Sequence, residues 1–225
     1  MSRAFLLIGS PGSGKGEQAK RLATATGMTH IAMGSLIRHY CDVPRSGNIC
    51  ELIEKNYNAG IPQDDAIAVE ILNDHLGTLD TSHGVIFDTF PLSIGEVDKL
   101  PEILSAFDLG TPVVIHIDID EDTAVQRIST RRICGQCGRP FRPGNEQYTK
   151  NECDVCKQSL TQREDDKEDI VRLRYKEYDQ RITMLLDIYR KLGYPIISYQ
   201  SGVDDGPDAD FAVITEKLRE IGVSL

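Results

Sequence analysis

The chain has 225 residues, enough for a sizeable core, and is expected to form one domain with insertions rather than two independent ones. Its formal net charge of -10 argues against general binding to nucleic acid or an anionic membrane, so any phosphate binding must come from a local cluster of Arg and Lys. No run of about 18 apolar residues is present, and Met1 to Ile8 lacks the length of a signal peptide's apolar region, so a soluble cytoplasmic protein is expected.

The first predicted element is the apolar run Ala4-Phe5-Leu6-Leu7-Ile8, which reads as a buried strand. Gly9-Ser10-Pro11-Gly12-Ser13-Gly14-Lys15-Gly16 follows, and Glu17 to Ala23 then has helical spacing. Strand, glycine-rich turn and helix start form the context in which such a motif carries meaning. The glycines let the backbone N–H groups of Gly12, Ser13, Gly14, Lys15 and Gly16 point inward, the helix N-terminus adds its dipole, and Lys15 supplies a full charge. Together they make a cradle for a nucleoside triphosphate.

Met28 to Ile31 reads as a short strand feeding a helix that carries Leu36, Ile37 and Arg38, and Ile49 to Lys55 as a helical turn or two. Gly60-Ile61-Pro62 is a break, after which Asp64 and Asp65 cap a helix from Ala66 to His75. Gly84 to Asp88 is a second buried strand, ending in an acid, and Thr111 to Asp118 a third, followed by a helix from Asp122 to Arg132. Pro195 to Tyr199 is a last strand, and Phe211 to Ile221 a closing helix. Strands alternating with helices predict a three-layer α/β core with a mainly parallel sheet.

Between Arg132 and Asp166 the apolar periodicity disappears. Cys134-Gly-Gln-Cys137 is answered there by Cys153-Asp-Val-Cys156, with 15 residues between the two pairs. Two such knuckles can place four thiolates around one Zn2+, a closed and therefore structural site holding a segment with too few apolar residues to fold alone. Iron in the same cage, or two redox-active dithiols, are the alternatives. Cys41 and Cys50 lack this pattern and are expected as reduced thiols.

With these motifs in hand, the whole chain resembles the adenylate kinase family of nucleoside monophosphate kinases, in its long form with a zinc-bearing lid. Gly9 to Gly16 matches the family's phosphate loop, including Gly16 where other P-loop proteins have Ser or Thr. Ala32 to Arg38 resembles the entry of the acceptor-binding segment, with Arg38 in the place of a phosphate-binding arginine, and Gly60 to Asp65 resembles its exit. Arg127, Arg131 and Arg132 match the arginines leading into the lid, and Arg163-Glu164-Asp165-Asp166 with Arg172 and Arg174 those leading out. The resemblance implies a P-loop NTPase-type core over 1–32, 62–130 and 167–225, a small helical acceptor-binding insertion over 33–61, and a zinc-ribbon-like lid over 131–166.

It further implies that Lys15, Arg131, Arg163 and Arg174 contact phosphate, that Arg127 stacks on the ATP adenine, and that Mg2+ bridges the phosphates with Asp88 orienting it through water. Guanidinium forks suit this work because each can hold two phosphate oxygens, and a lid that lowers them over the phosphates expels water. Capping a helix is the competing role for Asp88. Asp165 and Asp166 either hold the arginines or cap the following helix.

The departures fall at functional positions. Where the family has Gly-Phe-Pro-Arg after the strand acid, this chain has Thr89-Phe90-Pro91-Leu92, and a neutral leucine cannot replace the arginine that grips the acceptor phosphate. Such a lost charged hydrogen bond costs about 1.5–3 kcal/mol; Arg45 and Lys55 are candidates to compensate. Glu96 stands where a glutamine reads the adenine of AMP, and an ionised carboxylate suits a guanine edge better. Glu17 replaces a threonine beside the phosphate loop, where it repels phosphate unless it points away or helps hold the metal. Met33 and Ser35 replace a threonine and an acid.

The expected function is reversible transfer of the ATP γ-phosphate to AMP by a monomer whose partners are nucleotides, with no nucleic acid and no membrane. Three alternatives stand beside it: a kinase with a non-AMP acceptor, a catalytically weak ATP-binding homologue acting as a sensor or partner-binding switch, and a zinc-ribbon interaction module. The last needs a basic surface that this acidic chain lacks.

Overall fold

The computed structural model describes residues 4–42, 49–58, 63–163, 166–202 and 206–225. Strand β1 (Ala4–Ile8) is buried throughout. Ala4, Leu6 and Ile8 face one apolar cluster, while Phe5 and Leu7 face another on the opposite side. A strand apolar on both faces belongs in the middle of a parallel sheet covered by helices. Strands β3 (Val85–Asp88) and β4 (Val113–Asp118) flank it, and β2 (Thr29–Ala32) and β8 (Ile196–Gln200) take the edges. The order is β2-β3-β1-β4-β8, with every neighbouring pair parallel.

One face of the sheet is covered by α1 (Lys15–Thr26) and α9 (Pro207–Glu220) through Ala19, Leu22, Ile214 and Leu218. The other is covered by α4 (Asp65–Leu76), α5 (Ile94–Ala106) and α8 (Glu168–Lys191) through Leu72, Leu100, Leu185 and Tyr189. Helix α6 (Glu121–Ser129) packs on α8 through Val125, Ile128 and Val171. The three-layer α/β architecture expected from the sequence is therefore present.

Two excursions leave the core. After β2 come α2 (Met33–His39), a 3-10 turn (Tyr40–Asp42) and α3 (Ile49–Asn58), held to α4 by Tyr40, Ile53 and Ile71. Cys41 and Cys50 are not the reduced thiols expected: the 3-10 turn and the start of α3 bring their Cα atoms to 5.7 Å, and they form a disulfide. Arg45 and the break Gly60-Ile61-Pro62 lie outside the described residues.

The second excursion holds β5 (Arg132–Cys134), β6 (Pro140–Phe141), α7 (Glu146–Lys150) and β7 (Leu160–Thr161), with a small antiparallel sheet ordered β6-β5-β7. Its core is little more than Cys134, Cys153, Phe141 and Leu160. The helix expected to run to Arg132 stops at Ser129, because Arg132 already pairs with Phe141 as a strand. No helix among the described residues is long and apolar enough to cross a membrane.

Candidate active site

The loop after β1 lies at the carboxyl end of the central strand, where α/β sheets of this kind open a crevice. Gly12 and Gly14 adopt φ of 88° and 87°, values an L side chain rarely takes, and a Cβ on Gly12 would meet Ala124 at 3.1 Å. Gly14 caps α1 without any side-chain bond, so the first N–H groups of the helix are left to a ligand.

Beside the loop a cavity of about 240 Å3 is lined by Lys15, Gly16, Arg38, Asp88, Thr89, Arg131 and Arg163. Four cations from four separate stretches of chain thus converge on one small space. Lys15 stays within 3.4 Å of the Ser10 carbonyl. Burial first, then Arg174 and Arg131, lower its pKa, while Asp88 works the other way. The Arg174 charge is therefore felt at Lys15.

Arg131 is aimed by Asp166, fully buried, which accepts bonds from Nη2 at 2.6 Å and Nε at 3.0 Å. Of the two roles open to Asp166, holding an arginine is the one seen; Glu164 and Asp165 lie outside the described residues. Arg127 donates to the carbonyls of Gly12 and Gly202 at 3.3 Å and 2.6 Å and to Ser201 Oγ at 3.1 Å, which fixes it beside the loop. Arg132 and Arg172 are placed elsewhere. Arg132 lies over the Tyr148 ring, 5.8 Å from its centroid, and Arg172 pairs with Glu121, Asp122 and Glu168 on the surface.

Asp88 ends β3 and its carboxylate overlies Gly16, where a Cβ would come within 3.1 Å of Oδ2. His30 Nε2 sits 3.4 Å from that oxygen, and the Thr89 hydroxyl donates to Oδ1 at 3.0 Å. Burial works to raise the Asp88 pKa, but the bond to His30 and the Lys15 charge outweigh it and hold the group below the ordinary carboxylate value. Among the described residues Asp88 caps no helix.

Glu17 turns from the loop toward Arg21, which bonds it at 3.0 Å and reaches Asp208 at 2.6 Å. Glu96 occupies the third residue of α5 in a reciprocal cap. Its amide N–H donates to the Ser93 hydroxyl at 3.0 Å, and its carboxylate accepts from the Leu92 N–H at 2.5 Å. Burial and nearby Asp65 push the Glu96 carboxyl up to about 7. Lys55 is exposed on α3.

The four free cysteines, Cys134, Cys137, Cys153 and Cys156, hold their sulfur atoms within 4.8 Å of one another. Zinc bonded at about 2.3 Å to four sulfurs in a tetrahedron needs sulfurs about 3.8 Å apart, so the donor set fits that ion. Amide N–H groups point at the sulfurs, as where Cys156 N–H meets Cys153 Sγ at 3.4 Å.

Two residues at the site were not singled out by sequence reasoning. His30 and Thr89 grip Asp88. The signal for Thr89 was present, a β-branched residue directly after the strand acid. His30 carried none.

A family model described as Adenylate kinase matches residues 7–194. Adenylate kinase of Caldicellulosiruptor bescii is 32% identical over 97% of this chain and 99% of its own length. Those of Finegoldia magna, at 36% over 83% and 86%, and Archaeoglobus fulgidus, at 32% over 96% and 99%, are similar in the same way.

Proposed function

The chain belongs to the adenylate kinase family and is a phosphotransferase, and from that premise we propose that it reversibly transfers the γ-phosphate of ATP to AMP. The observation that carries this reading is the convergence of Lys15, Arg38, Arg131 and Arg163 on one cavity beside the glycine loop.

In the proposed roles, the N–H groups from Gly12 to Gly16 cradle the β- and γ-phosphates while Lys15, Arg131, Arg163 and Arg174 gather round the transferred group. An acceptor phosphate oxygen, held by Arg38, attacks the γ-phosphorus in line, and the bond to the β-phosphate oxygen breaks toward ADP. No side-chain base is needed, because that oxygen is already anionic and needs alignment more than deprotonation. Arg127, tied to the Gly202 carbonyl, serves the adenine end of ATP. Ionised Asp88 beside Lys15 fits a magnesium ion held through water; when bound, that ion neutralises triphosphate charge. Glu17, paired to Arg21, stands clear of the phosphates, and Glu96 acts on the acceptor site through the cap that shapes it.

We assign residues 33–61 to acceptor binding and residues 131–166 to a lid built on structural zinc. The remaining segments, 1–32, 62–130 and 167–225, form the core. The lid's small apolar core is consistent with a metal supplying its cohesion. A monomer in the cytoplasm completes the reading.

Leu92 motivates a second reading, a weak ATP-binding homologue that closes as a switch or takes another monophosphate. The deciding assay is diphosphate formation from ATP and magnesium against AMP, GMP, CMP and UMP, with Lys15→Ala as the blank. ADP formation with AMP that vanishes in the blank supports the first reading. Turnover only with another acceptor, or ATP binding without turnover, moves the protein to the second.

A further inference from the structure

Thr89 is a β-branched residue at φ 67°, the left-handed region that such side chains avoid. Strain of this kind persists where the surroundings over-determine it, and it gathers at functional sites. Here the surroundings are specific. The Thr89 N–H donates to the Leu7 carbonyl at 3.2 Å, at the carboxyl end of β1, and its hydroxyl donates to Asp88 Oδ1 at 3.0 Å. His30 Nε2 faces the other oxygen at 3.4 Å. The Asp88 carboxylate is thereby fixed by both its oxygens, with the Lys15 charge beside it and Gly16 beneath. Thr89 also lines the cavity into which Lys15, Arg131 and Arg163 point.

We propose that Thr89 is a positioning residue for phosphoryl transfer: its hydroxyl, together with His30, locks Asp88 in the orientation from which that acid acts on magnesium-bound nucleotide. This rests on the kinase reading above. A glycine here would release the strain and lose the lock, and a valine would keep the shape and lose only the donor. Placement of a charged group matters steeply in such sites, since a small misalignment of reacting groups costs rate rather than ground-state binding.

The test compares Thr89→Val, Thr89→Ser and Thr89→Gly with the parent by steady-state kinetics, by calorimetric titration of ATP with and without magnesium, and by thermal melting. The expected result is a fall in kcat of about ten- to a hundredfold in Thr89→Val and Thr89→Gly, the usual range for a lost hydrogen bond to a charged group. KM for ATP changes little in both. Thr89→Ser returns kcat to within about threefold, and Thr89→Gly melts higher than the parent despite its lower rate. A merely structural residue would move melting temperature and rate together. Unchanged kcat in Thr89→Val, or an equal loss in Thr89→Ser, overturns the proposal. If the parent turns over no monophosphate, the kinase reading fails by that control alone. The proposal is then decided by the metal's surroundings with manganese in place of magnesium: the paramagnetic resonance signal of the bound manganese–ATP complex must match between the parent and Thr89→Ser and differ in Thr89→Val, and identical signals in all of them refute it.

Discussion

The Leu92 N–H and the Glu96 carboxylate are bonded to each other at 2.5 Å, so two of the departures from the family's pattern are one local arrangement. Ser93 and Asp65 complete it, with the Ser93 hydroxyl donating to Asp65 Oδ1 at 2.7 Å. A carboxylate spent on a helix cap and set against a second carboxylate is poorly disposed to read a nucleobase.

Glu96→Gln should change the pH dependence of stability. The folded carboxyl is raised from 4.5 to about 7, chiefly by burial and then by Asp65. A raised acid contributes stability that is fully present below about 4.5 and is lost as pH rises through about 7, because above that value the folded state must hold a buried charge. The rise corresponds to about 3 kcal/mol as an order of magnitude. A glutamine oxygen still accepts the Leu92 N–H without the charge. Denaturant melts at pH 5 and pH 8 should therefore show the variant flatter and, at pH 8, more stable by about 1–3 kcal/mol; equal slopes for both proteins would rule this out.

Zinc removal should unfold one part of the molecule and spare the rest. Cys134 and Cys153 are fully buried and make half of the excursion's four-residue core. Purified protein is expected to carry one equivalent of zinc. Chelation, or Cys134→Ser with Cys153→Ser, should expose amides of the small sheet to hydrogen exchange while the five-stranded sheet keeps its protection. Protein free of any metal that melts no differently after chelation would exclude a structural ion.

The loop, the buried strands and the four-cysteine spacing were legible in the sequence because each is a local pattern with one backbone solution. Helix α5 was not, since Pro101 interrupts it while Val97, Leu100 and Leu104 still bury at helical spacing. Arg132 and Arg172 matched the arginine pattern yet point to Tyr148 and to surface acids, because hinge spacing does not reveal which way a side chain turns. The Asp88, His30 and Thr89 cluster joins two strands and could appear only once β2 and β3 were paired.

The Cys41–Cys50 bridge closes a short loop of sequence separation 9 in the segment proposed to take the acceptor. Loops of that length are worth about 2–3 kcal/mol in chain entropy. Reduction, or Cys41→Ser with Cys50→Ser, should raise KM for the monophosphate while leaving ATP affinity unchanged, since Cys41 packs against Tyr40, Ile53 and Ile71, between the excursion and α4. Peptide mass analysis under non-reducing conditions checks the bond, and equal kinetics before and after reduction would remove any role for it in acceptor binding.

Leu92→Arg tests whether the acceptor site lacks a charge or has replaced it. Leu92 lies half-buried just before α5, three residues after Thr89, which lines the cavity together with Arg38, Arg131 and Arg163. If the acceptor phosphate is short of one guanidinium, the substitution should raise kcat/KM for AMP by about ten- to a hundredfold, the reverse of losing one charged hydrogen bond. KM for ATP should stay fixed, because in the proposed roles the ATP phosphates are served from the loop and from Arg131, which Asp166 aims. No gain, with Lys15→Ala still silent, would mean that the arginines already lining the cavity suffice for the acceptor, and that Leu92 is there to seat the cap made by Glu96.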